Sequence, residues 1–280
     1  MTDTSYTKLE ATGIADTLFH PENTAEPRPP EHSENITITL DDPTASLGCR
    51  LYCDKEISSL IVLFHGAREK VGDYDLVASH FLQHQIALLV VTIRGYGWSR
   101  GEPTITNYFS DLPAIHNAVS ELIAGRFNEL PVFVMGRSLG SMRAIETIQL
   151  YPESYRGMIL ESSFAETRAF FQNLGCNLQE HELSEDDFFQ PVDKVSNIEK
   201  PTLILHGSRD QLVSIREAEK LQSFSGAKTK QFHIIPGAEH DNLMSVGDEL
   251  YFETIKKFID TVTGANTWRH RRKKFKKDKP

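Results

Sequence analysis

The stretch VFVMGRSLGS, residues 132–141, runs from an apolar segment into a turn in which two glycines bracket a serine. The apolar segment is typical of a strand buried on both faces, and the residues after the turn have helical spacing. A sharp turn of this kind brings strand and helix so close that neighbouring positions must be very small, as Gly136, Gly140 and Ser141 are. The pattern predicts that Ser138 projects from a strained backbone, with its hydroxyl facing the positive end of the helix dipole.

The same alternation of an apolar strand and a helix extends over most of the chain and predicts the fold class. Apolar runs with the character of buried strands alternate with helical patterns of about a dozen residues; the runs are SLIVLF, IALLVVTI, LPVFVM, GMILESS, PTLILHG and TKQFHIIPG. This order predicts an α/β protein with a mostly parallel central sheet that helices cover on both faces. NITITL and SLGCRLYC are predicted to pair before it as a hairpin, with DDPT as the turn.

The chain is interpreted as one domain with three less regular segments. Residues 1–35, rich in Pro, Glu and Asn, are expected to be an N-terminal extension without much core, and residues 36–264 form the domain. Residues 165–199 break the alternation and are interpreted as a small cap insertion. Its aromatic side chains either form an apolar acyl pocket or pack on the sheet; they belong to Phe164, Phe170, Phe171, Phe188 and Phe189.

Composition and charge restrict the location and the partners. No apolar stretch reaches the roughly 20 residues that a membrane helix needs, and the first residues lack a signal-peptide pattern, so a cytoplasmic location is expected. The net charge of −9 argues against a nucleic-acid partner. Residues 265–280 are strongly basic, and we expect a disordered tail that is either simply solvated or makes weak contact with a membrane surface or partner.

The three cysteines are interpreted as free thiols. Cys49 and Cys53 have the spacing of half a zinc site, but no second pair of Cys or His ligands accompanies them. We therefore expect no metal site and no disulfide framework.

Three further turns follow predicted strands, and ligands of parallel sheets bind at that edge. Asp210 follows TLIL, and His240 follows FHII. The order Ser138, Asp210, His240 is the one expected of a serine nucleophile, a carboxylate and a base on this kind of sheet. The backbone amides of Leu139, next to the serine, and of Ala67, after SLIVLF, are the expected donors to an oxyanion.

These turns together resemble the α/β-hydrolase superfamily, in particular its serine esterase and lipase members with a short cap. The resemblance covers about residues 36–263 and is carried, in the family's order, by HGA, RGYGWS, GRSLGS, HGSRDQLV and GAEH. It implies that Ser138 is the nucleophile, His240 the general base and Asp210 the orienting acid, with Ala67 and Leu139 as the oxyanion hole. The implied substrate is a small-molecule or lipid-like ester, and no cofactor is needed.

Several alternatives stay open at this point. Glu161 also ends a predicted strand and is a second candidate for the acid. Arg68 and Lys70 either attract an anionic substrate end or are ordinary surface charges, and Tyr96 and Trp98 either contact substrate or pack in the core. The same residues also suit a serine peptidase or amidase, or a binding protein that has kept the fold without activity.

Overall fold

The computed structural model describes residues 6–127, 129–178 and 181–266. Its centre is a sheet of eight strands in the order β8-β7-β6-β5-β3-β4-β2-β1. The strands are β1 (Ser33–Thr39), β2 (Ser46–Tyr52), β3 (Ser59–Phe64), β4 (Ile86–Val91), β5 (Val132–Arg137), β6 (Gly157–Glu161), β7 (Thr202–Gly207) and β8 (Lys230–Ile235). β2 pairs antiparallel with both β1 and β4, and all other pairs are parallel. The predicted fold class and the predicted hairpin are confirmed.

Helices enclose the sheet. They are α1 (Thr7–Glu10), α2 (Ala15–Leu18), α3 (Ala78–Gln83), α4 (Ile105–Ser110), α5 (Leu112–Leu122), α6 (Gly140–Leu150), α7 (Thr167–Asn173), α8 (Pro191–Ser196), α9 (Ile215–Phe224) and α10 (Leu243–Thr263). Shorter elements are 3-10 turns at Val71–Tyr74 and Glu185–Asp187, a π-helical turn at Ile123–Phe127, and a two-residue strand Glu22–Asn23 paired with Tyr96–Gly97. α10 is kinked at Asp248, whose φ is 41°.

The central strands end level with one another. Phe64, the last residue of β3, lies opposite Val91 of β4 and Gly136 of β5. Every residue of β3, β4 and β5 is buried, because helices lie against both faces of the sheet. The turns that follow these strands therefore meet along one edge of the sheet.

The N-terminal segment contributes to the core, so the expectation that it has little core is wrong. Five apolar side chains of residues 6–35 are at most 5% exposed and belong to the main hydrophobic cluster; they are Tyr6, Leu9, Ile14, Leu18 and Phe19. Their spacing is that of two short helices with one apolar side. The polar and proline-rich composition further along the segment concealed this pattern.

The predicted cap segment contains α7, a 3-10 turn and α8 in the part that the structure describes. All five of its candidate pocket phenylalanines are at most 2% exposed and belong to the main core. The rings of Phe164 and Phe170 stack with centroids 3.9 Å apart, and Phe189 stacks on Phe109 of α4 at 5.3 Å. Of the two alternatives for these rings, packing is the one observed.

Three further sequence predictions concern thiols, membranes and the tail. All three cysteines are free, as predicted. Within the described residues, no helix has both the length and the apolar character needed to cross a membrane. Residues 267–280 lie outside the described part of the chain, so the predictions about the basic tail stay predictions, as does the division of the chain into domain and cap.

Candidate active site

Ser138 lies at the apex of the turn between β5 and α6, with a φ of 51° in the left-handed region. Its amide donates to the carbonyl of Glu161 at 2.9 Å. A Cβ on Gly140 would lie 2.0 Å from the carbonyl oxygen of Phe64, and one on Gly136 would lie 2.5 Å from that of Gly140. These contacts are with backbone atoms, which cannot swing aside as a side chain can. Crowding therefore requires glycine at both positions, as the spacing predicts.

The three side chains that the sequence singles out are joined by hydrogen bonds. The Oγ atom of Ser138 lies 2.8 Å from Nε2 of His240, and Nδ1 of His240 lies 2.8 Å from Oδ2 of Asp210. Asp210 follows β7, and His240 lies between β8 and α10, so each group comes from a different strand end. Ser138 and His240 are each 7% exposed, and the side chain of Asp210 is fully buried.

The carboxylate of Asp210 is oriented by its own loop. Its Oδ1 accepts the amides of Leu212 and Val213 at 3.0 and 2.8 Å, which leaves Oδ2 for the imidazole of His240. A carboxylate only accepts, so Nδ1 of His240 must carry a proton and Nε2 is free to accept one from Ser138. This is the tautomer that a general base requires.

A second histidine, His206, supports the same loop and was not predicted from the sequence. Nε2 of His206 donates to the carbonyl of Val213 at 2.9 Å and lies 3.5 Å from Oδ2 of Asp210. Burial lowers the pKa of His206, so its ring is neutral at pH 7. The available signal was its position at the end of β7, four residues before Asp210.

Two backbone amides near Ser138 are available as donors. Within the described part of the chain, neither the N–H of Ala67 nor that of Leu139 donates a hydrogen bond. The carbonyls of the same two residues are held, by the hydroxyl of Tyr96 at 2.6 Å and that of Tyr108 at 3.1 Å. These contacts hold the two residues while their amides stay unengaged, which suits an oxyanion site.

The residues around the Ala67 loop have structural contacts. Nδ1 of His65 lies 2.7 Å from the carbonyl of Gly66, and burial lowers the pKa of His65 to about 4, so the ring stays neutral near pH 7. Tyr96 is 1% exposed and supports Ala67, a role the sequence analysis did not foresee. Trp98 packs against Gly48 and beneath the guanidinium of Arg50. Neither aromatic side chain lines the pocket described below.

Glu161, the second candidate for the acid, has other partners. Its Oε1 accepts from Nε of Arg137 at 2.9 Å, and its Oε2 accepts from the hydroxyl of Tyr251 at 2.5 Å. The imidazole of His240 instead contacts Asp210. Arg137, the residue before Ser138, is buried in this network, and its role could not be predicted from the sequence although it lies within residues 132–141.

A pocket of about 190 Å³ opens beside Ser138 and His240. Its other lining residues are Gly66, Ala67, Arg68, Glu69, Arg137, Asn173, Leu174, Leu212 and Asp241. The apolar part comes from Leu174, just after α7, and from Leu212, in the Asp210 loop. The side chain of Asn173 donates to the carbonyl of Leu212 at 3.0 Å and so joins the two walls. Arg68 is exposed at the rim, whereas Lys70 forms an ion pair with Glu22.

Comparison with known proteins agrees with this architecture. The family model described as serine aminopeptidase, S33, matches residues 55–178 and 190–245. The chain belongs to this family of α/β-hydrolases. It is therefore placed among hydrolytic enzymes, as the resemblance implies.

The relatives named here are at most 26% identical to this chain. The uncharacterized protein YfhR of Salmonella typhimurium is 23% identical over 266 residues, which are 89% of this chain and 88% of that protein. Human alpha/beta hydrolase domain-containing protein 17B is 26% identical over 175 residues, 59% of this chain and 53% of that protein. Among solved structures, the Pyrococcus furiosus esterase Pf2001 superposes with a TM-score of 0.69 at 17% identity, covering 86% of this chain and 99% of that one. At this identity the likeness shows the fold.

Proposed function

We propose that this α/β-hydrolase cleaves carboxylic esters through a covalent acyl-enzyme on Ser138. The observation that carries the proposal is the hydrogen-bonded series Asp210–His240–Ser138, with 2.8 Å at each step, beside two amides that donate to no described residue. A nucleophile, a base with the right tautomer and oxyanion donors are the parts that acyl transfer needs.

The proposed reaction has two symmetric halves. As Oγ of Ser138 attacks the carbonyl carbon, its proton passes to Nε2 of His240, and Asp210 stabilises the imidazolium that forms. The amides of Ala67 and Leu139 bind the tetrahedral oxyanion. The alcohol leaves with the proton from His240. Water then attacks the acyl-enzyme, giving its proton to His240, and the acid is released as Ser138 regains its hydrogen.

The pocket supports short acyl groups as substrates. A volume of about 190 Å³ equals roughly six water molecules at ~30 Å³ each in the liquid. The apolar walls at Leu174 and Leu212 are the proposed contacts of a short acyl chain. The buried aromatic rings of the predicted cap lie in the core, so they offer no extension for a long chain. We therefore propose small esters in preference to long-chain lipids.

The rim of the pocket suggests a preference for charge on the substrate. Arg68 is exposed beside the pocket, and no ion pair to a described residue neutralises it, whereas Lys70 is paired with Glu22. We propose that Arg68 favours esters whose free end is anionic, such as monoesters of dicarboxylic acids. Replacing Arg68 with Gln is expected to raise KM for a monoester of succinic acid and to leave KM for the matched neutral ester unchanged.

Amide cleavage is the second candidate, because the family model carries the description of an aminopeptidase. The test uses p-nitrophenyl butyrate and butyryl p-nitroanilide, which share the acyl group and differ in the leaving atom. Ester turnover that exceeds anilide turnover by more than a hundredfold supports the proposal, and comparable rates support the peptidase alternative. Ser138→Ala is the control for both substrates, because activity that survives this change does not arise from the proposed nucleophile.

A further inference from the structure

Arg137, directly before Ser138, is a buried cation that contacts residues at or just after the ends of three other strands. Its side chain is 7% exposed. Nη1 forms an ion pair with Glu69, Nε donates to Glu161 at 2.9 Å, and Nη2 donates to the carbonyl oxygen of His240 at 3.2 Å. A planar guanidinium presents several donors in fixed directions at once, which an ammonium group cannot do.

Glu69 links Arg137 to the loop after β3 that contains Ala67. The other carboxylate oxygen of Glu69 accepts the amide of Gly66 at 2.5 Å and the hydroxyl of Tyr74 at 3.1 Å. Gly66 immediately precedes Ala67, whose amide is a proposed oxyanion donor. The position of that amide relative to Ser138 therefore depends on Glu69, and Glu69 is held by Arg137.

The contact with His240 reaches the proposed base through its backbone. The carbonyl oxygen of His240 accepts from Nη2 of Arg137 and from Oγ of Ser162, each at 3.2 Å. These two donors fix the peptide from which the imidazole projects toward Ser138. The His240 loop connects β8 and α10, and connecting loops are in general more mobile than the elements they join.

The third contact anchors the guanidinium itself. Glu161 is fully buried, and its second oxygen accepts from the hydroxyl of Tyr251 at 2.5 Å. Burial raises the pKa of Tyr251 well above its ordinary value, so this hydroxyl remains a donor. A buried ion pair of this kind contributes little net stability compared with apolar packing. Stability alone therefore gives little reason for a charged network in this place.

We propose that Arg137 is a positioning residue that holds the oxyanion amide and the base in register with the nucleophile. The inference rests on the proposed acyl-transfer function of the site. Arg137 acts through the backbone of Gly66 and Ala67 on one side and of His240 on the other. Arg137 also lines the pocket, but its donors are directed at Glu69, Glu161 and the carbonyl of His240, so its loss is expected to lower kcat and to leave KM nearly unchanged.

The test replaces Arg137 with Lys, which keeps the positive charge and removes the fork of donors. Kinetic constants are measured with p-nitrophenyl butyrate, together with the rate of labelling by a fluorophosphonate. Arg137→Lys is expected to lower kcat and the labelling rate by about 10- to 100-fold, since a displacement of about 1 Å can cost that much, with KM within threefold of wild type.

Arg50→Lys is the matched control. Arg50 is 1% exposed and pairs with Asp75 at 2.7 Å, but it lies on β2, three strands from β5. We expect it to change kcat by less than threefold. The inference would be overturned by equal losses of kcat in both variants, or by a kcat for Arg137→Lys within threefold of wild type. A rise in KM that accounts for the whole loss of kcat/KM in Arg137→Lys would overturn it as well.

Glu69→Gln keeps the test decisive if Arg137→Lys does not fold. The amide oxygen of Gln can still accept from Gly66, but the ion pair with Arg137 is lost. We expect kcat to fall at least fivefold with KM within threefold; an unchanged kcat contradicts the inference. Wild-type protein that neither hydrolyses the ester nor is labelled would instead overturn the proposed function itself, so the two failures are distinguishable.

Discussion

Replacing Asp210 with Asn separates the role of the carboxylate from that of packing, because the two side chains have nearly the same shape. In the wild type, Oδ1 accepts two buried amides, those of Leu212 and Val213. In the variant, only the oxygen of the amide group can accept them, so the NH₂ group must face Nδ1 of His240. Nδ1 then becomes an acceptor, the imidazole proton moves to Nε2, and the ring can no longer take the proton of Ser138.

The size of the effect follows from the cost of the opposite rotamer. Turning the Asn oxygen toward His240 restores the productive tautomer but leaves two buried amides without acceptors, at about 1–3 kcal/mol each. At about 1.4 kcal/mol per tenfold change in rate, the total of about 2–6 kcal/mol corresponds to a factor of about 30 to 2 × 10⁴. A loss of about 10⁴-fold is known for the same substitution in a serine protease triad.

The assay is kcat for p-nitrophenyl butyrate, with thermal unfolding measured on the same samples. Asp111→Asn is the control, since Asp111 is also buried and pairs with Arg94 away from the site. We expect Asp111→Asn to lower the melting temperature and to keep kcat within threefold of wild type. A folded Asp210→Asn protein that retains more than a tenth of wild-type kcat would refute the assignment of the acid.

Three other predictions concern the turn, the buried histidine and the pocket. Gly140→Ala places a Cβ 2.0 Å from a backbone oxygen of β3, so we expect calorimetry to show the free energy of unfolding lowered by about 1–3 kcal/mol or more. Gly125→Ala, whose added Cβ meets no atom within 4 Å, should leave the free energy of unfolding nearly unchanged. Burial lowers the pKa of His65 in the folded state to about 4. The neutral ring therefore contributes stability above the unfolded-state pKa, and this contribution is lost as the pH falls toward 4. The free energy of unfolding from urea titrations should fall between pH 7.5 and pH 4.5 by about 2–3 kcal/mol more in wild type than in His65→Gln. Leu212→Ala opens the apolar wall, so kcat/KM for hexanoyl relative to butyryl esters should rise at least fivefold, and an unchanged ratio would contradict the acyl-pocket assignment.

The sequence was most informative where backbone geometry limits the choice of residue. The glycines around Ser138 are required by contacts of about 2–3 Å with backbone atoms, so the strand–turn–helix arrangement could be read directly. Asp210 and His240 could be located because each follows an apolar run, and parallel strands bring such positions to one edge.

Contacts between residues far apart in the chain could not be predicted from the sequence in this way. Nothing in the sequence pairs Arg137 with Glu69, or the hydroxyl of Tyr96 with the carbonyl of Ala67, because these contacts depend on how the loops fold over the sheet. The core of the N-terminal segment was missed because its few apolar residues lie in or next to two four-residue helices, which are too short for a periodic pattern to stand out.

The most direct test is to identify the atom that reacts with an electrophile at this edge of the sheet. Folded protein is incubated with a fluorophosphonate, digested, and the modified peptide is sequenced by mass spectrometry. We predict one adduct, on Ser138, that forms in the native protein and is absent after denaturation or in Ser138→Ala. A native protein that stays unlabelled, or an adduct that persists in Ser138→Ala, would contradict the account.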